Sequence, residues 1–142
     1  MSQAGVIDGL HFARAALQKR GTMGMEQLPR LAQMRCSTQG LEYHLSGGTA
    51  KNGKPCLRVS VRGVVQLVCQ RCMDPLPVPV AIDSELQLAE SLREISEADD
   101  EVDRVLASRH MDVGRLVEDE VILALPMVPR HEACAHHPMT QI

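Results

Sequence analysis

Tryptophan is absent from this chain, and it carries a single phenylalanine, Phe12, and a single tyrosine, Tyr43. Such a set denies the fold an aromatic core, and it denies any surface the stacking platforms that single-strand nucleic-acid binders use. No apolar run approaches the roughly 20 residues needed to cross a bilayer, and the first residues lack the basic-then-apolar run of a secretory leader. Glycine-rich phosphate loops, nucleophile elbows and His-Glu metalloprotease helices are also missing, so no enzymatic activity is expected. Positive charge is not in excess either: the net charge is −3. The molecule as a whole therefore lacks the basic field that drives non-specific nucleic-acid binding, and any RNA contact has to be local.

What the chain does contain is 142 residues with 44% apolar content, enough for one domain with an aliphatic core. Its five cysteines, at 36, 56, 69, 72 and 134, are odd in number and irregular in spacing. A reducing, cytoplasmic location is the expectation.

Hydrophobic periodicity sets out the elements. Asp8 is a candidate N-cap for a helix over 9–20, with Leu10, Ala13 and Leu17 on one face and Gly21 as its stop. A second helical stretch runs from about Glu26 to Met34, provided Pro29 lies in its first turn. From Leu41 the period changes to two, and Asn52-Gly53 signals a type I′ hairpin. The returning strand places Leu57, Val59, Val61, Val65, Leu67 and Cys69 on one face and Arg58, Ser60, Arg62 and Gln66 on the other, with Gly63 as a bulge or bend. Val78, Val80, Ile82, Leu86 and Leu88 alternate again, so Cys69–Cys72 becomes the turn of a second hairpin. An acid-rich segment follows, too charged to pack, which predicts a flexible loop over about 90–108. The last helix starts at the N-cap Asp112 and stops at Pro126; its apolar stripe places Glu120 near the centre and turns Glu118 and Asp119 outward. Arg71, Arg130 and His131 are candidate partners for Glu120. The tail 135–142 should fray. The expected fold class is α+β: a single domain over 1–142, an antiparallel β-meander flanked by short helices.

Chemistry concentrates at Val68-Cys69-Gln70-Arg71-Cys72-Met73-Asp74-Pro75. With His131 and Cys134 the chain reads C-x2-C … H-x2-C, a nitrogen and sulfur set that suits tetrahedral zinc, with His136 or His137 able to replace His131. Two other readings stand beside it: ordinary buried thiols at a hairpin end, and a redox pair. The redox reading is weakened by the absence of a helix start at the motif and kept alive by Arg71 between the thiols. Cys36 and Cys56 read as packing residues. Lys51, Lys54, Arg58, Arg62 and Arg71 can form a basic patch that touches phosphates, or simply solubilise the exposed side of a sheet.

The knuckle, extended to Leu67, together with Val117-Glu118-Asp119-Glu120-Val121-Ile122-Leu123-Ala124-Leu125-Pro126-Met127-Val128-Pro129-Arg130-His131-Glu132-Ala133-Cys134, resembles the bacterial YceD family of large ribosomal RNA subunit accumulation proteins. The resemblance follows the order of segments over most of the chain, while its specific motifs occupy these two stretches. Met73 departs from the aliphatic or small residue common in the family, and the tail is short. The resemblance implies a non-enzymatic factor supporting synthesis, processing or accumulation of 23S rRNA. Large-subunit rRNA, a ribosomal protein or an assembly intermediate would then be the partner. The family's motifs map onto Cys69, Gln70, Arg71, Cys72, Glu118, Asp119, Glu120, Pro126, Pro129, His131 and Cys134 here; Gln70, Arg71, Glu118, Asp119 and Glu120 among them, with Arg58 and Arg62 of the basic patch and Arg130, are the candidate RNA or partner contacts, and the 94–103 loop with Glu118 and Asp119 is a candidate for capturing a basic ribosomal protein. A small zinc-stabilised interaction module without RNA contact is the first rival expectation, and a C-x-x-C thiol redox protein the second.

Overall fold

Alternation of apolar and polar residues from Leu41 to Leu88 builds three long strands, β3 (Leu41–Thr49), β4 (Pro55–Val68) and β5 (Pro75–Ala89), paired antiparallel in chain order. The computed structural model describes residues 5–96 and 104–126. β2 (Gln18–Met23) joins the free side of β3, antiparallel, and β6 (Arg104–Leu106) joins β5, giving the sheet order β2-β3-β4-β5-β6. A separate short ladder pairs β1 (Val6–Ile7) with β7 (Met111–Asp112). The helices are α1 (Gly9–Arg14), α2 (Pro29–Gln33, preceded by a 3-10 turn at Met25–Gln27), α3 (Leu92–Ser96) and α4 (Val113–Ala124).

One face of the sheet is dry. Leu41, Tyr43, Leu45, Leu57, Val59, Val61, Val65, Leu67, Val80, Ile82, Leu86 and Leu88 are buried there under Phe12 and Ala13 of α1, Leu31 of α2, and Val113, Leu116, Val117 and Val121 of α4. Each fully buried aliphatic side chain contributes roughly 1.5–3 kcal/mol, so this layer dominates the stability. Close approach of α1 to the sheet requires Gly47, where a Cβ would stand 2.2 Å from the Phe12 carbonyl oxygen and 2.7 Å from the Ala13 Cα.

The α+β class and the single sheet with short helices agree with the sequence, as do both caps: Asp8 accepts from the His11 amide and Asp112 from the Arg115 amide. Several expectations need correction. The first helix ends at Arg14, not residue 20, because Ala16 enters the left-handed region (φ 52°) and the Ala16 and Leu17 amides turn back to the Ala13 and Phe12 carbonyls. Gly21 lies inside β2 opposite Tyr43 and stops no helix. Pro29 does open α2, as its missing N–H permits. The β3–β4 connection is a longer loop, closed by the Ala50 amide on the Lys54 carbonyl, with the Asn52 side chain accepting from the Lys54 amide, so it is not a two-residue type I′ turn. Register runs unbroken through Gly63, opposite Leu41 on one side and Val80 on the other, so there is no bulge. Space explains that glycine instead: a Cβ would lie 2.6 Å from Leu41 Cδ2. The sheet is not a pure meander, since β6 runs parallel to β5. Within the predicted acidic loop, α3 and β6 are ordered elements; residues 97–103 and the predicted frayed tail lie outside the described residues.

Candidate functional site

Three places hold the residues singled out by the sequence: the hairpin tip between β4 and β5, the junction of α2 with α4, and the solvent face of the sheet.

At the tip, Cys69 directly follows β4 and is fully buried, and the chain reverses over residues 69–74 before β5. The Cys69 amide donates to the Asp74 carbonyl at 2.9 Å and the Met73 amide to the Cys69 carbonyl at 2.8 Å, which closes the turn. The Arg71 amide donates to Cys69 Sγ at 3.4 Å. An N–H aimed at sulfur favours the anionic form that a metal ligand must take. Cys72 is half-buried, and Gln70 and Arg71 are exposed at the apex. Met73 sits at φ 65°, a left-handed conformation that costs a residue bearing Cβ about 1–2 kcal/mol. The motif joins two strands and starts no helix, so the helix-terminus activation used by redox pairs is missing. Arg130, His131 and Cys134 lie outside the described residues, as do His136 and His137. Cys36 and Cys56 are buried thiols, and burial pushes both up from the ordinary thiol value, consistent with packing roles.

At the α2–α4 junction, the expected orientation of the acidic triplet is reversed. Glu118 is only 2% exposed, whereas Glu120 is half-buried and makes no hydrogen bond or ion pair among the described residues. The buried sector of α4 is widened on the flank of Gly114, Glu118 and Leu125 because the helix packs on α2 as well as on β4 and β5. Glu118 Oε2 accepts from the Arg30 amide at 2.8 Å and the Leu31 amide at 3.0 Å, two of the orphan N–H groups that open α2. Glu118 Oε1 accepts from Arg30 Nε at 3.1 Å. The same guanidinium pairs with Asp119 and reaches the Arg115 carbonyl. These carboxylates raise Arg30 above its ordinary value, Asp119 most strongly. Arg71, the one sequence-named partner among the described residues, makes no such contact. Arg30 was missed; its one signal is its place directly after an N1 proline, where free amides attract an acid.

The solvent face carries Arg58 and Arg62 on one side of β4, as the alternation requires. Both are paired across the β4–β5 ladder. Arg58 Nε lies 3.2 Å from Glu85 Oε1, and Arg62 Nη2 lies 2.7 Å from Asp83 Oδ2, with Arg62 Nη1 on the Val61 and Ile82 carbonyls. Hydrogen bonds from Arg62 and then Ser60 hold the Asp83 carboxyl below the usual carboxylate range. In the next rows Arg20, His44 and Glu42 complete a mixed lattice over a shallow depression of about 420 Å³, and Arg20 makes no ion pair among the described residues. On this face Arg58 and Arg62 are matched by Glu85 and Asp83, while Lys51 and Lys54 lie in the β3–β4 loop and Arg71 at the hairpin apex.

No described helix is long and apolar enough to cross a membrane. Residues 57–141 match the family model described as large ribosomal RNA subunit accumulation protein YceD, a span that takes in β4, the hairpin tip, β5 and α4. The chain belongs to the YceD family. No solved structure matches it.

Proposed function

We propose that this protein supports synthesis, processing or accumulation of 23S rRNA as a non-enzymatic assembly factor of the large ribosomal subunit, working in the cytoplasm. The observation that carries the reading is the family match, which spans the hairpin tip and α4 and belongs to a family of large ribosomal RNA subunit accumulation proteins. The exposed apex residues Gln70 and Arg71 are the contact group we assign to it. Unlike Arg58 and Arg62, they are not committed to the β4–β5 ladder. Neutralisation of the sheet face favours a local contact over broad backbone binding, and it keeps capture through a ribosomal protein as the second reading. Crosslinking in cells followed by RNA recovery tests the first: enrichment of large-subunit rRNA or its precursors, weakened by Arg71→Ala, is expected. Recovery of ribosomal proteins that survives nuclease treatment, with no rRNA enrichment, would favour the second and overturn direct contact.

The same reading assigns Cys69 and Cys72 as one half of a zinc site completed by His131 and Cys134. Its support is the ligand chemistry, the placing of both thiols on one tight turn, and the amide donated to Cys69 Sγ. Intact-mass measurement under native conditions on protein purified without chelator should find one zinc per chain, lost in Cys72→Ser. Metal-free, fully reduced protein would remove the assignment.

A further inference from the structure

The two edges of the sheet are built differently. The Cys69 amide bonds the Asp74 carbonyl, so along that ladder the even-numbered residues of β5 face β4 and the odd-numbered ones face away. Three of the outward positions are Pro75, Pro77 and Pro79, which have no N–H to offer, and Asp83 and Glu85 follow on the same edge. The three-residue β6 covers the remainder. β2, at the opposite edge, has neither device: Gln18–Met23 contains no proline, its register with β3 is unbroken, and among the described residues no strand lies on its far side. We propose that the free edge of β2 is a docking site for an extended acidic segment of another protein, which adds to the sheet as a further strand. The proposal goes beyond the ribosomal reading and does not depend on it.

Four observations point to that occupant. The Gly47 amide donates to the Leu17 carbonyl at 2.8 Å, which fixes the phase of the β2–β3 ladder: Lys19, Gly21 and Met23 turn their backbone groups to β3, while Gln18, Arg20 and Thr22 turn theirs outward. The outward N–H and C=O groups find no partner among the described residues, and all three residues are exposed. Gly21 is exposed as well, and because it carries no side chain, the surface it shows is backbone; the edge is open at its middle. Charge then selects the strand. Lys19 and Arg20 project to opposite faces at adjacent positions, and neither makes an ion pair among the described residues, whereas Arg58 and Arg62 do. Adjacent carboxylates on an incoming strand meet both cations, while a second copy of β2 would crowd like charges. Finally, the Tyr43 phenol lies across Gly21, its hydroxyl 3.2 Å from where a Cβ would stand; Tyr43 is only 6% exposed, and that hydroxyl has no hydrogen-bond partner among the described residues. An acceptor carried by the incoming strand opposite Gly21 satisfies it.

Amide hydrogen exchange and chemical shifts of the full-length labelled protein test the edge, with a blocked threonine–valine peptide bearing two adjacent central glutamates as the probe. With the peptide at about ten times its Kd, exchange should slow about tenfold at Gln18, Arg20 and Thr22 and stay unchanged at Lys19 and Gly21, whose amides face β3. The glutamine analogue of the peptide should bind about tenfold more weakly. Thr22→Pro removes one outward N–H, as the prolines of β5 do, and should abolish the protection while leaving the shifts of β4 and β5 in place. Arg20→Gln should weaken binding of the glutamate peptide and leave the glutamine analogue unaffected. Absence of the alternating protection, or equal affinity for the two peptides, would overturn the proposal. Protection of the same amides that grows with protein concentration in the absence of peptide would replace it with pairing between copies. An oligouridylate that shifts Arg20 and displaces the peptide without protecting the three amides would replace it with nucleic-acid contact.

Discussion

The α2–α4 junction and the solvent face of the sheet use the same chemical pair, arginine with carboxylate, to opposite effect. At the junction one carboxylate is withdrawn from water and satisfied by two backbone amides and a guanidinium. On the face, each pair keeps one partner mostly in water, Asp83 at 72% and Arg58 at 67% exposed, and the other about half in it, Arg62 at 48% and Glu85 at 42%. The difference teaches that a carboxylate's worth here depends on how many donors lose their partner with it rather than on its distance to an arginine.

Removing the buried member should show the largest effect. Glu118→Ala leaves the α2 amides without a partner and is expected to cost about 2–4 kcal/mol in urea denaturation, with Glu118→Gln recovering part of it. A cost below about 1 kcal/mol would mean that water replaces the carboxylate and that the junction is no different from the face. Arg30→Met keeps the carboxylate on the amides and loses only the half-exposed guanidinium, so a smaller cost of about 1 kcal/mol is expected by the same measurement. On the face, Arg62→Gln should cost no more than about 0.5–1 kcal/mol and should lose most of that effect in 0.5 M salt, where the Debye length shortens to a few ångströms. A salt-independent loss there would erase the contrast. The smallest signal is in Asp83. Its carboxyl is held below the ordinary value of about 3.9, so its stabilising contribution is present above that value and fades as pH falls through the lowered one. Titration followed by NMR should show the Asp83 midpoint rising in Arg62→Gln.

The sheet was legible in the sequence because period-two alternation is read directly, and the two aspartate caps because their chemistry is local. Helix ends were harder. α1 and α2 both terminate on left-handed residues that are not glycine, Ala16 and Arg35, so the composition signal for a stop was missing while the hydrogen-bond pattern was present. Asn52-Gly53 misled in the other direction: the asparagine serves the loop with its side chain instead of its backbone. Glu118 could not be placed from a single-helix projection, since its burial depends on α2, which lies 88 residues away in the chain at Arg30. The arginine pairs on the face were likewise invisible until the β4–β5 register set Arg58 opposite Glu85. The thiol pair was located correctly at a hairpin tip, while its partners His131 and Cys134 lie outside the described residues.

The parallel pairing of β6 with β5 has a bearing on how the acidic stretch is constrained. Two neighbouring strands that run the same way cannot be linked by a tight reversal; the chain has to travel back the length of the strand first, which takes a dozen residues or more. Residues 90–103 separate the two strands in the sequence, a stretch long enough for such a connection. Shortening that stretch by several positions is therefore expected to strip β6 from the edge and open β5 to other chains.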